Sequence, residues 1–163
     1  MAESKVTSNF KKVFAKLRKE VKSTYSDDQM ERLGEQAAEM IRIRTRLGYG
    51  VSKPGSKRER LKKLDGEYIE TRKDFGELSQ FTTPGRSNLT RTGQMLESIV
   101  VLDAKDGKVT VGPQGARSDS KHSNDQIAEY VSTARPFISV SDLEIKKLIR
   151  FFKKNIIGKV FKR

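Results

Sequence analysis

Between residues 10 and 21 the apolar positions fall at Phe10, Val13, Phe14, Leu17 and Val21, the spacing of one helix face. Ser8 stands as its N-cap and lysine and arginine take the opposite side, so the pattern predicts a first helix. Ser26 opens a second helical pattern through Met30, Leu33, Ala37, Met40, Ile41 and Leu47. Asp27 and Asp28 lie in its first turn, where carboxylates meet the positive end of the helix dipole. The pattern stops at Gly48-Tyr49-Gly50. From there to Lys63 the chain mixes Gly, Pro and Ser with closely spaced cations and carries no apolar stripe of either period, so residues 48–63 read as a mobile basic loop. Residues 64–76 put Tyr68, Ile69, Arg72 and Phe75 at near-helical spacing, a short helix, and the Pro84-Gly85 turn marks 79–88 as a loop.

The clearest local signal follows. LTRTGQMLESI, residues 89–99, is a short helical approach, and the β-rich runs 98–103 and 108–112 flank Asp106-Gly107, the combination that predicts a hairpin. Residues 113–126 form a polar loop, long for a connection. Ile127 to Val131 returns as either a helical turn or a strand. Arg135-Pro136-Phe137-Ile138 then leads to Ser141-Asp142-Leu143-Glu144, a capping box that opens a last helix. Its apolar positions Ile145, Leu148, Ile149, Phe152 and Ile156 share a face, and the hairpin needs a cover. The expected class is α+β: two N-terminal helices, a small antiparallel sheet with a β-hairpin near 98–112, and a C-terminal helix packed on the sheet. One domain is expected over 1–163, with 158–163 as a basic tail.

Composition permits such a core and removes several chemistries. Leu, Ile, Val and Phe make up about a quarter of the 163 residues, above the level at which a charged chain stays disordered. With no Cys there is no disulfide framework, thiolate zinc site or cysteine nucleophile, and synthesis in a reducing cytoplasm is expected. The longest apolar run, Ile99 to Leu102, cannot span a membrane, and MAESKVTSNFKKVF lacks the apolar stretch of an export signal. Neither a membrane nor export is expected.

The net charge of +13 is unevenly spread: +5 over 1–22, −4 over 23–41, +8 over 42–63, −2 over 64–141, −2 over 142–145 and +8 over 146–163. Charge confined to ends and one loop points to a polyanionic or acidic partner, though a solvated face needs no partner. The candidate interface or DNA-facing cations are Arg42, Arg44, Arg46, Lys53, Lys57, Arg58, Arg60, Lys62 and Lys63, with Tyr49 as the aromatic among them. Arg42, Arg44 and Arg46 equally fit the outer side of the second helix, paired with Glu35 and Glu39.

No catalytic, cofactor or metal residues are assigned. His122, the single histidine, stands in a polar loop without a ligand pattern. Ser118 and Lys121 spell S-x-x-K without the buried helix start that would desolvate a lysine into a base. Gly112, Gly115 and Lys121 lack the G-K-[ST] ending of a phosphate loop. The acidic pairs Asp27/Asp28 and Asp103/Asp106 are explained by a helix start and a turn.

In LTRTGQMLESI, then VTVGP, then Ile127-Ala128-Glu129-Tyr130, then ARPFISVS and a basic last helix, residues 84–157 resemble the tail-completion or neck proteins of tailed bacteriophages. That family is also described as virion morphogenesis or minor tail proteins. Carried over by position, the structural hallmarks are Leu89, Gly93, Leu96, Ser98 and Ile99, then Val111 and Gly112, then Arg135, Pro136 and Phe137. Many relatives carry a His-Glu-x-Gly-like step before the Arg-Pro-Phe segment, where this chain has Ala128 to Ser132. Gly93 would let a helix turn sharply into a strand, Pro136 would set the chain direction, and Arg135 would pair with a carboxylate or with helix-end carbonyls. The resemblance implies a non-enzymatic virion protein at the head-tail junction, made in the host cytoplasm and assembling with itself into a ring. Its implied partners are portal, connector or head-completion proteins, the tail tube or tail terminator, and DNA in the channel. The alternative reading is a basic nucleic-acid-binding module that uses the same cations without a ring.

Overall fold

A computed structural model describes residues 26–74, 85, 87–105 and 107–157. The expected first helix, most of the expected loop 79–88 and the basic tail 158–163 lie outside these residues. Among them the class is α+β, with five helices and two small antiparallel sheets. None of these helices is long and apolar enough to cross a membrane.

Helix α1, Asp27–Arg46, starts on a reciprocal capping box: Gln29 N donates to Ser26 Oγ at 3.3 Å and Ser26 N donates to Gln29 Oε1 at 3.1 Å. It ends where Gly48 takes a left-handed φ of 81° and donates to the Thr45 carbonyl. Met30, Leu33, Ala37 and Ile41 bury one face. Gly34 on that face allows close approach to the sheet, since a Cβ there would stand 2.5 Å from Val109 Cγ2 and 2.7 Å from Val101 Cγ2.

The sheet beneath α1 is the predicted hairpin, β3 (Ile99–Lys105) paired antiparallel with β4 (Lys108–Pro113), running from Ile99 opposite Pro113 to Lys105 opposite Lys108. Gly107 turns with φ 68°. A register irregularity between Val101 and Asp103 leaves Leu102 and Asp103 both exposed, with Leu102 lying over Gly112. Ile99, Val109 and Val111 face the core, whereas Val100 and Leu102 are exposed on the outer face.

Ahead of this hairpin lie two short strands, β1 (Tyr49–Gly50) and β2 (Glu59–Arg60), then α2 (Gly66–Asp74) and the single turn α3 (Gln94–Glu97). After it, Ile127 to Val131 proves helical within α4, Asn124–Ala134, where Ser123 N donates to Gln126 Oε1 at 3.0 Å. Helix α5, Asp142–Phe152, begins at the predicted Ser141 capping box and continues into one π-helical turn, Lys153–Ile157. The sheet's cover, expected from the C-terminal helix, is chiefly α1, and α5 packs mainly on α1 instead. Leu148 and Phe152 of α5 close the core against Phe137 and Val140 of the preceding segment.

Candidate functional site

The stretch predicted as a mobile basic loop carries the β1-β2 ladder, with Tyr49 opposite Arg60 and Gly50 opposite Glu59. Two apolar plugs, Val51 at 1% and Leu61 at 7% exposure, sink from it into the protein. Backbone hydrogen bonds fix it to the segment before α5. Val51 N donates to Pro136 O at 3.0 Å, Gly55 N to Val140 O at 2.8 Å, and Asp142 N to Ser56 O at 3.1 Å. At Gly50 a Cβ would lie 2.2 Å from the Pro136 carbonyl oxygen, so only glycine fits this approach. The result is a braced hairpin on which Lys53, Lys57, Arg58, Arg60, Lys62 and Lys63 are all exposed. Arg58 and Arg60 stand over the Tyr49 ring, 4.8 and 4.3 Å from its centroid.

The three arginines at the end of α1 do not join that surface as a group. Residues two apart on a helix are turned about 200° from one another, so Arg42 and Arg46 share a side and Arg44 points the other way. Arg42 pairs with Glu39 at 2.8 Å, as expected for an outward residue, and also reaches Ile99 O. Arg46 pairs with Glu97 at 3.5 Å. Arg44, read as an outward cation, is instead 4% exposed: Nη1 donates to Glu144 Oε2 at 2.5 Å and to Ser139 O at 2.8 Å, and Nη2 donates to Phe137 O. Burial lowers its pKa and the adjacent Glu144 opposes that shift. The same Glu144 oxygen accepts from Ser141 N at 2.7 Å, so one carboxylate caps α5 and neutralises a cation from α1.

The residues carried over as hallmarks occupy turning points and the core. Gly93 is the left-handed N-cap of α3, with φ 80°, and Leu89 adopts φ 55° beside the core. Leu96, Ile99 and Phe137 are fully buried, as nearly is Val111, and Gly112 lies beneath Leu102. Ser98 closes α3, its hydroxyl donating to Met95 O at 2.9 Å. Pro136 and Phe137 offer their carbonyls to Val51 and Arg44. Arg135, expected to find a carboxylate or helix-end carbonyls, donates to Lys62 O, Lys63 O and Ser87 Oγ, at 3.1 to 3.4 Å. The Arg-Pro-Phe segment is thus the anchor of the basic hairpin.

One feature has no counterpart in the sequence reading. A cleft of about 530 Å³ opens between α2, the 89–93 segment and α4, and Arg72, Arg91, Arg117 and Arg135 line it together with Asp65 and Asp119. Arg117 holds Asp119 with two hydrogen bonds of 2.8 Å and also reaches Thr92 and Asn124. Those bonds keep the Asp119 carboxyl below the usual carboxylate range. Arg72 is 2% exposed, 5.9 Å from the Tyr68 ring centroid. Burial lowers its pKa, with Tyr68 opposing and the positive charge of Arg91 adding to the shift. The four arginines are scattered over more than sixty residues at no period, so nothing local announces them.

The loop residues weighed for chemistry do not converge. Ser118 exchanges hydrogen bonds with Gln94, through its Oγ at 2.8 Å and its N at 3.1 Å, while Lys121 and His122 are exposed. Among the described residues no three acidic or histidine side chains gather as a metal site. Set against protein-family models, curated proteins and solved structures, the chain shows no significant match.

Proposed function

We propose that this chain is a structural virion protein of the phage head-tail junction, a tail-completion or neck component that forms a homo-oligomeric ring and joins the tail to the portal-connector assembly. The reading rests on the resemblance in residues 84–157. The observation that carries it is that the Arg135-Pro136-Phe137 segment anchors a braced hairpin presenting Lys53, Lys57, Arg58, Arg60, Lys62 and Lys63 together. A cationic surface held in a fixed shape suits docking on the acidic face of a neighbouring protein or on DNA in a channel.

Quantitative mass spectrometry of gradient-purified particles tests this: a fixed copy number comparable to that of the portal is expected, and absence from clean particles refutes it. The combined K57Q, R58Q, R60Q, K62Q and K63Q variant should fold normally and join heads to tails poorly. Normal particle yield from it would remove the hairpin from the mechanism.

The stacking of Arg58 and Arg60 on Tyr49 favours a second reading, a nucleic-acid-binding module. If the six exposed cations each meet a phosphate, affinity for duplex DNA should fall roughly 10³-fold between about 50 and about 200 mM salt. Weak or salt-insensitive binding excludes it.

A further inference from the structure

The outward side of α5 carries a row of cations that the hairpin site does not include. Leu148 and Phe152 are buried in the core, and Lys146, Lys147 and Arg150 are exposed on the opposite side, within a sector of about 100° at about 3.6 residues per turn. Lys154, exposed in the π-helical turn, extends the row. Among the described residues none of these four makes an ion pair or a side-chain hydrogen bond. The carboxylates of α5, Asp142 and Glu144, lie in its first turn, where Glu144 is buried against Arg44. The row also continues the basic hairpin. Gly55 N donates to Val140 O, Asp142 N donates to Ser56 O, and a Cβ on Gly55 would lie 3.5 Å from Ile145 Cδ1, so the turn from Lys53 to Lys57 abuts the start of α5.

Lys146, Arg150 and Lys154 recur every four residues, about 6 Å along the axis, with no carboxylate between them, which suits a polyanion of regular charge. Duplex DNA is one, with a phosphate about every 3.4 Å along each strand. An acidic protein face is the poorer partner for this row, because lysine is depleted at the buried centres of protein interfaces and Leu143, at one end, is the apolar side chain the row exposes. A membrane is poorer still, since the apolar side of α5 is already packed in the core. Single strands are held by stacking on exposed rings, and the Tyr49 ring already carries Arg58 and Arg60. The row offers donors and no acceptor for a 2′-hydroxyl, which favours DNA over an RNA duplex. We propose, resting on the nucleic-acid reading of the hairpin, that α5 and the hairpin form one track for the phosphate backbone of duplex DNA, in which Lys146, Lys147, Arg150 and Lys154 bind phosphates without regard to sequence.

The test titrates the full chain with short fluorescein-labelled DNA duplexes of two unrelated sequences, with one of their single strands and with the matching RNA duplex. Anisotropy reads affinity and amide chemical shifts read location. Both DNA duplexes should bind alike and move the amides of Lys146, Lys147 and Arg150. The combined K146Q, K147Q, R150Q and K154Q variant should bind both about tenfold or more weakly near ~100 mM salt, and the slope of log affinity against log salt should fall by about 3, since each phosphate contact contributes about 0.9. The combined K146R, K147R and K154R variant keeps the charge and should bind as the parent does. All these positions are exposed, so far-ultraviolet circular dichroism should be unchanged in both variants. If the parent binds no duplex, the nucleic-acid reading falls and the track with it. Full affinity in the glutamine variant, or shifts confined to residues 53–63, would overturn the track and leave that reading standing. Tighter binding of the single strand or the RNA duplex, a strong preference between the two sequences, or displacement of the duplex by polyglutamate at equal charge would each overturn the choice of partner.

Discussion

Replacing Arg44 with Met removes a buried cation while keeping much of its length and volume. What remains is the Glu144 carboxylate, 7% exposed, with the Ser141 amide still donating to it but its counter-ion gone. The carbonyls of Ser139 and Phe137 lose a donor as well. Breaking a buried pair from one side costs about 3–5 kcal/mol. In a domain whose whole stability is of order 5–15 kcal/mol, that is a large share. For a chain of this length it corresponds to a fall in Tm of roughly 6–20 °C. E144Q keeps an oxygen for the Ser141 amide but strands Arg44, and should cost about 2–3 kcal/mol. The double variant R44M/E144Q leaves no unpaired charge, so it should cost less than the two singles together, with a coupling of about 2 kcal/mol or more. Urea unfolding followed by far-ultraviolet circular dichroism at constant m measures all three. Strict additivity, or an R44M protein within about 1 kcal/mol of the parent, would refute the argument that the pair ties α5 to α1.

The other expectations address the basic hairpin and the cleft. Gly50→Ala drives a Cβ to 2.2 Å from the Pro136 oxygen and 2.7 Å from Leu61 Cδ2, so it should destabilise the fold by about 1–3 kcal/mol. Amide exchange at Val51 should rise with it, and a neutral effect would mean that the hairpin is not held as described. Asp119 has a folded pKa below its ordinary 3.8, so its contribution to stability is present above that value and fades as the pH falls through the folded one. Thermal melts of D119N should therefore lie below those of the parent at neutral pH and converge with them in acid once the folded carboxyl is protonated, whereas a gap independent of pH would break the link to Arg117.

Local chemistry was enough for the elements whose signals lie within a few residues. The cap at Ser26, the capping box at Ser141, the hairpin turn at Gly107 and the periodic face of α1 all act through hydrogen bonds or side-chain rows inside one element, and each appears where the pattern puts it. Ser123 and Gln126 form the same kind of box, so the helical state of 127–131 was readable too, although a short apolar run alone leaves helix and strand open. The opposed directions of Arg42 and Arg44 also follow from helix period. Their partners do not, because Glu144 is a hundred residues from Arg44 and meets it only once α5 lies on α1. The braced hairpin depends on two isolated apolar residues, Val51 and Leu61, which have no period and find their seats only against the 136–142 backbone. The cleft is the extreme case. Arg72, Arg91, Arg117 and Arg135 come from separate elements, and a site built from separate elements exists only as a consequence of how they pack, which no spacing along one stretch of chain encodes.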